Sequence, residues 1–322
     1  MIITVTLNAA IDKTLAVPNF QLGRRHRSTE QRTMAGGKGV NVARALKTLG
    51  QPVIATGLAG GPTGTRISEQ LTEEAILSDF VRIRDESRTS TAVIDPTSGQ
   101  QTEINEQGPE ATESELALFR DKLLYLAKGA DICVFAGSLP RAVDNQLYAE
   151  LLSDLSTLGV MTVVDAEGEP MELALRAGPD LVTPNAAEAE GLVGHEFRDQ
   201  QEHAQAVYEL CELGAREAII THPEGCFAIV GRNHERHLYS VTVEPLEPVS
   251  AIGAGDVFLA GYLSARYSER PYDESLRFAV ACAAESTQHF SAGILDPREV
   301  ERIASDVSVT ELELPAAVDA RA

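Results

Sequence analysis

The 322 residues are 43% apolar and 23% charged, a globular composition whose length suits one α/β domain carrying a small insertion. The 48 acidic side chains against 27 basic ones leave a net charge of −21, which repels nucleic acid and anionic membrane, so neither is an expected partner. No run of about 18 apolar residues is present to span a bilayer.

The chain enters an apolar, β-branched run at once, Ile2 to Leu7, with no basic leader or small-residue cleavage site, and this points to the cytoplasm. Asp12 is read as closing that first strand at its carboxyl end, the edge where ligands sit in open α/β sheets; a turn residue is the plainer reading. Residues 14–33 are polar and basic, with Pro18 and Gly23. A helical pattern from Val40 to Leu49 leads to a strand from Val53 to Thr56. Residues 88–105 read as a hairpin, Thr89 to Ile94 and Gln101 to Ile104 around Pro96-Thr97-Ser98-Gly99. These two irregular stretches predict a small sheet outside the main one. Beyond them, strands at Ile132–Phe135, Val160–Val164, Leu181–Thr183 and Ala218–Thr221 alternate with helices at Glu113–Ala127, Asn145–Thr157, Gln201–Leu213, Val257–Tyr267 and Glu274–Phe290. Such alternation predicts crossover βαβ units, hence an α/β class with a mainly parallel sheet. The acidic, Ala-rich tail from about Val307 is expected to fray at its end.

Cys133, Cys211, Cys226 and Cys282 are too scattered for a zinc site and are expected as reduced thiols in or near the core. The only lysines are Lys13, Lys38, Lys47, Lys122 and Lys128. An acidic, lysine-poor surface suggests adaptation to a high-salt cytoplasm, where self-repulsion is screened.

Three segments carry chemistry. In Ser250-Ala251-Ile252-Gly253-Ala254-Gly255-Asp256, two glycines precede a helical run, so the N–H groups of Ala254, Gly255 and Asp256 could face an anion. A carboxylate there suits a base that takes a proton from an attacking hydroxyl, though a helix cap in a glycine turn is an equally simple reading. Ala35-Gly36-Gly37-Lys38-Gly39-Val40-Asn41-Val42-Ala43-Arg44 opens a second helix, and Asn8-Ala9-Ala10-Ile11-Asp12 follows the first strand. Phe258 stands where a dinucleotide fingerprint needs its third glycine, which disfavours a dehydrogenase. Arg32 and Gly39 stand where a P-loop needs Gly and Ser or Thr.

Taken in order, Leu7-Asn8-Ala9-Ala10-Ile11-Asp12, Gly36-Gly37-Lys38-Gly39-Val40-Asn41-Val42-Ala43, Gly137-Ser138-Leu139-Pro140, Pro184-Asn185-Ala186-Ala187-Glu188 and Gly253-Ala254-Gly255-Asp256 span nearly the whole chain. This series resembles the 1-phosphofructokinase and tagatose-6-phosphate kinase branch of the PfkB sugar kinases. The resemblance implies a single ribokinase-like domain over residues 1–322, a three-layer α/β/α core with lid segments at about 13–33 and 88–105, and a homodimer through the lid. It implies Asp256 as catalytic base and Gly253, Ala254 and Gly255 as the anion hole. Asp12, Gly37, Lys38 and Asn41 match sugar contacts, while Arg88 and Ser138 match residues that hold the acceptor's phosphate. Asn185 and Glu188 match a motif that organises Mg²⁺ and ATP phosphates through water, with no direct protein ligand to the metal, and Thr221 and Gly225 match the nucleotide-lining segment. In so acidic a chain the lid's Arg24, Arg25 and Arg27 also need a reason, and a sugar phosphate is sufficient; solvated arginines paired with acids are the alternative.

The sequence departs from the family at Ala9, at Ala251, in Thr221-His222-Pro223-Glu224-Gly225, where Pro223 has no N–H to offer, and in Phe290-Ser291-Ala292-Gly293 on the adenine side. The expected reaction is ATP-dependent phosphorylation of fructose 1-phosphate to fructose 1,6-bisphosphate. Fructose 6-phosphate and tagatose 6-phosphate are rival acceptors, and an inactive sugar-phosphate-binding protein is the alternative of a different class.

Overall fold

The structure, a computed structural model, describes residues 1–231 and 235–314. At the centre, β1 (Ile2–Thr6) pairs in parallel with β4 (Val53–Gly60) on one side and β8 (Ile132–Ala136) on the other. Beyond β4 lies β5 (Leu77–Ile83). Beyond β8 lie β9 (Met161–Asp165), β10 (Leu181–Val182) and β11 (Glu217–His222), all parallel. Three antiparallel strands finish that edge: β12 (Gly225–Val230), β13 (His237–Thr242) and β14 (Ser308–Leu312).

Both faces of this sheet are covered, which is why its strands read as continuous apolar runs rather than alternating ones. Ile2 points into a core built with α1 (Lys38–Thr48), α2 (Gly61–Glu73), α8 (Ala254–Tyr267), α9 (Tyr272–Ser286) and α10 (Pro297–Ala304). Its neighbour Ile3 points the other way, into a core with α3 (Glu113–Ala127), α4 (Leu147–Ser156), α5 (Glu169–Arg176), α6 (Ala186–Val193) and α7 (Gln200–Glu212). The result is the expected α/β/α stack. All four cysteines are free thiols, with Cys133, Cys226 and Cys282 buried and Cys211 partly so.

A second sheet, ordered β3-β2-β6-β7, forms the lid from β2 (Ala10–Ala16), β3 (Glu30–Gly36), β6 (Arg88–Ile94) and β7 (Gln101–Asn105). Asp95 ties its two loops together: its carboxylate accepts from the N–H groups of Asn19 and Thr97 at 2.9 Å each and of Phe20 at 3.1 Å.

Several expectations need correction. Asp12 does not close the first strand: β1 stops at Thr6, and Asp12 lies within lid strand β2, opposite Met34 and Ser90. The lid strands accordingly run wider than the expected segments, from Ala10 and out to Gly36. Strands β5 and β12–β14 and helices α2, α5, α6 and α10 had no counterpart in the pattern, and α9 ends at Ser286, short of Phe290. The tail pairs through β14 along β13 as far as Leu312, and the fraying expected at its end falls on residues 315–322, outside the described residues.

Candidate active site

The carboxyl ends of β1, β8 and β9, the N-termini of α1, α6 and α8, and the facing lid strands enclose a cavity of about 880 Å³. Gly253 makes the turn into α8 with φ of 75°, a conformation open to glycine at little cost, and a Cβ there would lie 2.6 Å from that of Ala292. Ala254, Gly255 and Asp256 at this first turn line the cavity; the Ala254 N–H donates to the Ala251 carbonyl at 3.2 Å, while those of Gly255 and Asp256 have no intrahelical partner, with empty space over Gly255. Asp256 follows, only 5% exposed, and its Oδ2 accepts a 2.8 Å hydrogen bond from Nδ2 of Asn41 on α1. Burial pushes its carboxyl up to about 8, helped by the charge of Asp165 and opposed by Lys38 and the Asn41 amide. A carboxyl so placed can take up a proton near neutral pH.

On the lid side, Asp12 and Arg88 stand on the paired strands β2 and β6, and both line the cavity. Gly36 is needed for Asp12 to fit, because a Cβ at that position would fall 1.9 Å from its Oδ2. Burial pushes the Asp12 carboxyl up, against the pull of Arg88 and the Gly37 N–H. The Arg88 fork donates to the carbonyl oxygen of Asn8 at 3.1 Å, to Ser90 Oγ at 3.1 Å and to the carbonyl of Glu106 at 3.3 Å. Asn8 in turn donates to Ser138 Oγ at 3.1 Å, so the loop after β1, the turn after β8 and the lid converge on one wall.

Where α6 begins, Asn185 and Glu188 form a capping box: Asn185 Oδ1 accepts from the Glu188 N–H and Glu188 Oε2 from the Asn185 N–H, each at 2.9 Å. The other oxygen of Glu188 lies 3.5 Å from Lys38 Nζ, which bonds Asp165 Oδ1 at 2.9 Å. Burial pulls the Lys38 ammonium down, but Asp165, Glu188 and Asp256 outweigh it and hold it above its ordinary value. Burial also pushes the Glu188 carboxyl up, against Lys38. Oxygen donors that already accommodate one cation suit a hard divalent ion carrying phosphates.

The structure thus gathers Asp12, Gly37, Lys38, Asn41, Arg88, Ser138, Asn185, Glu188, Thr221 and Gly253 to Asp256 around one cavity. Lys38, expected at the sugar, spends its ammonium on Asp165 and Glu188. Arg24 and Arg27 lie exposed on the β2–β3 loop, outside the lining, where Arg32 and Arg141 appear instead. Gly225 also lies outside it, as the turn glycine of the β11–β12 hairpin, where a Cβ would fall 1.9 Å from the Val241 carbonyl oxygen. Sequence reading missed Asp165, Asn8 and Arg44. The run Val163-Val164-Asp165, an apolar strand ending in a carboxylate, was a readable signal for the first; the other two lie within the glycine-rich and post-β1 motifs, but only the fold gives them a role.

Comparison with known proteins agrees with this geometry. The model of pfkB family carbohydrate kinases matches residues 5–298. A 1-phosphofructokinase of Borreliella burgdorferi is 31% identical over 313 residues, spanning 97% of this chain and 99% of its own. A tagatose-6-phosphate kinase of Staphylococcus epidermidis is 30% identical over 316 residues, spanning 97% and 100%. Among solved structures, phosphofructokinase-2 from Escherichia coli in complex with fructose-6-phosphate superposes with a TM-score of 0.85 at 28% identity, over 94% of this chain and 98% of that one. The layers and lid are those of ribokinase-like kinases.

Proposed function

The chain belongs to the pfkB family of carbohydrate kinases, and from that premise we propose that it transfers the γ-phosphate of ATP to a hydroxyl of a ketohexose phosphate, with fructose 1-phosphate as the favoured acceptor and fructose 1,6-bisphosphate as product. The observation that carries this reading is a single cavity lined by both a buried carboxylate at a helix N-terminus, Asp256, and a part-buried arginine fork, Arg88.

In the reaction Asp256 accepts the proton of the attacking hydroxyl, while the N–H groups of Gly255 and Asp256 and the α8 dipole face the negative charge of the phosphoryl group in transit. Asp12, held in place by the Gly37 N–H, and the spare N–H of Asn41 orient the sugar. Arg88 and Ser138 take its phosphate, a charge-assisted contact for which a guanidinium is well shaped. Asn185, Glu188, Asp165 and Thr221 line the nucleotide side. Mg²⁺ bound there, through ATP and water, would supply charge neutralisation between the phosphates. Lys38 keeps the two carboxylates from repelling each other before nucleotide arrives. A chain that uses ATP in this way works in the cytoplasm. Leu22 and Ile104, 91% and 62% exposed on the lid, are the surface through which two copies would pair.

Fructose 1-phosphate is favoured because the segment Ile104–Pro109, which resembles that of 1-phosphofructokinases, sends Asn105, Glu106 and Gln107 to the cavity wall beside Arg88. Fructose 6-phosphate and tagatose 6-phosphate are the competing acceptors, each supported by one relative above. An ADP-release assay giving kcat/KM for the three phosphosugars tests the choice. A tenfold preference for either 6-phosphate would overturn the acceptor while leaving the kinase reading in place; no ADP release with any of them would overturn the reading itself.

A further inference from the structure

Arg44 closes the glycine-rich motif of α1, and the transfer as proposed gives it no task. Yet it is only 4% exposed and makes four hydrogen bonds. Two go to the Glu74 carboxylate at the C-terminal end of α2, from Nε at 2.5 Å and Nη2 at 3.0 Å. Nη2 also donates to the carbonyl of Ala35 at 2.6 Å, and Nη1 donates to Asn41 Oδ1 at 3.1 Å. A guanidinium has donors and no acceptor, so only the amide oxygen of Asn41 can face it. The amide NH₂ must then point the other way, and there it meets Asp256 Oδ2. Without Arg44 the Asn41 amide is free to turn over and set its oxygen against the carboxylate. Gly293 closes the arrangement from above: a Cβ there would lie 3.1 Å from Asn41 Cα and 3.3 Å from Arg44 Nη1.

We propose that Arg44 is a positioning residue: clamped by Glu74, it holds the Asn41 N–H against Asp256 and so keeps the base aimed at the acceptor hydroxyl. This rests on the reading of Asp256 as the base. The charged groups acting on Asp256 are Asp165, Lys38 and Asp12, and Asn41 supplies its side-chain hydrogen bond. A hydrogen bond to the ionised form favours that form, so its loss makes the carboxylate harder to keep deprotonated. A pair that merely clipped α1 to α2 would affect melting and leave the pH profile alone.

The test measures melting temperature, kcat, both KM values and the pH dependence of kcat for Arg44→Met, Arg44→Lys and Asp256→Asn beside the native protein. Both Arg44 variants should lose about ten- to a hundredfold in kcat, as misaligned catalytic groups do. Their KM values should stay within about threefold and the acid limb of the profile should move to higher pH. Arg44→Lys, which retains a charge beside Glu74, should recover melting temperature without recovering the acid limb. A folded Arg44 variant with unchanged kcat and acid limb overturns the proposal, and if Arg44→Met does not fold, Arg44→Lys decides by the same outcomes. Asp256→Asn separates the two levels. If it stays within tenfold of native activity, the base reading fails and the positioning role with it; if it is inactive while folded Arg44 variants are unaltered, the positioning role alone fails.

Discussion

Replacing Asp256 with Asn should make the protein more stable at neutral pH, and the gain should disappear on acidification. In the native protein this carboxyl is buried and lifted to about 8, first by desolvation and then by the charge of Asp165, against Lys38 and Asn41. The unfolded chain returns it to an ordinary value of about 3.9. The native form thus binds the proton more tightly, so the group contributes stability that is fully present below about pH 4 and is lost as pH rises towards 8. Asn carries no charge at any pH, and other carboxyls that titrate in this range are common to both proteins and cancel in the difference. Each unit by which the site lifts the carboxyl is worth about 1.4 kcal/mol. Water in the open cavity and the nearby ammonium of Lys38 soften the penalty, and a gain of about 2 kcal/mol at pH 8 is expected, or about 4 °C in Tm for a chain of this size. Thermal melts of both proteins from pH 5 to pH 8 measure it. A Tm difference that stays constant across that range, or an Asn variant less stable at pH 8, would refute the reasoning.

Two further outcomes follow from the charge distribution. Arg88→Ala should raise KM for the sugar phosphate about ten- to a hundredfold while leaving KM for ATP nearly unchanged, since a charge-assisted contact to phosphate is worth about 1.5–3 kcal/mol; equal effects on both substrates would remove Arg88 from the acceptor. If the net charge of −21 is an adaptation to salt, Tm should rise between about 0.1 M KCl, where the Debye length is about 10 Å, and above 1 M, where it is about 3 Å; a flat or falling Tm would reject that origin.

The layers of the fold were legible because parallel strands buried on both faces leave unbroken apolar runs, as in Ile2–Leu7 and Ile132–Phe135. The edge strands were harder to see. Ser308-Val309-Thr310-Glu311-Leu312 is polar and half-covered, and only its pairing with β13 makes it a strand. Asp256 and Asn41 stood out because a carboxylate or amide in a glycine-rich helix start is unusual, whereas Arg88, Ser138, Asn185 and Glu188 were assigned only through the family resemblance. What links them was not legible. Asn41 and Asp256 lie 215 positions apart, and their hydrogen bond exists because α1 and α8 pack side by side. Asn185 and Glu188 were read as organisers of phosphate and metal; the structure adds that they cap α6, a local role that fixes their side chains before any ligand binds. Asp12 misled because it follows an apolar strand closely in sequence, yet the chain has already crossed into the lid by Ala10.

In the proposed transfer Asp256 removes the proton of the acceptor hydroxyl. Asp256→Asn, assayed by ADP release at saturating ATP and fructose 1-phosphate, tests it most directly. kcat should fall by roughly two to four orders of magnitude with nucleotide binding intact. Activity within tenfold of the native protein would contradict it.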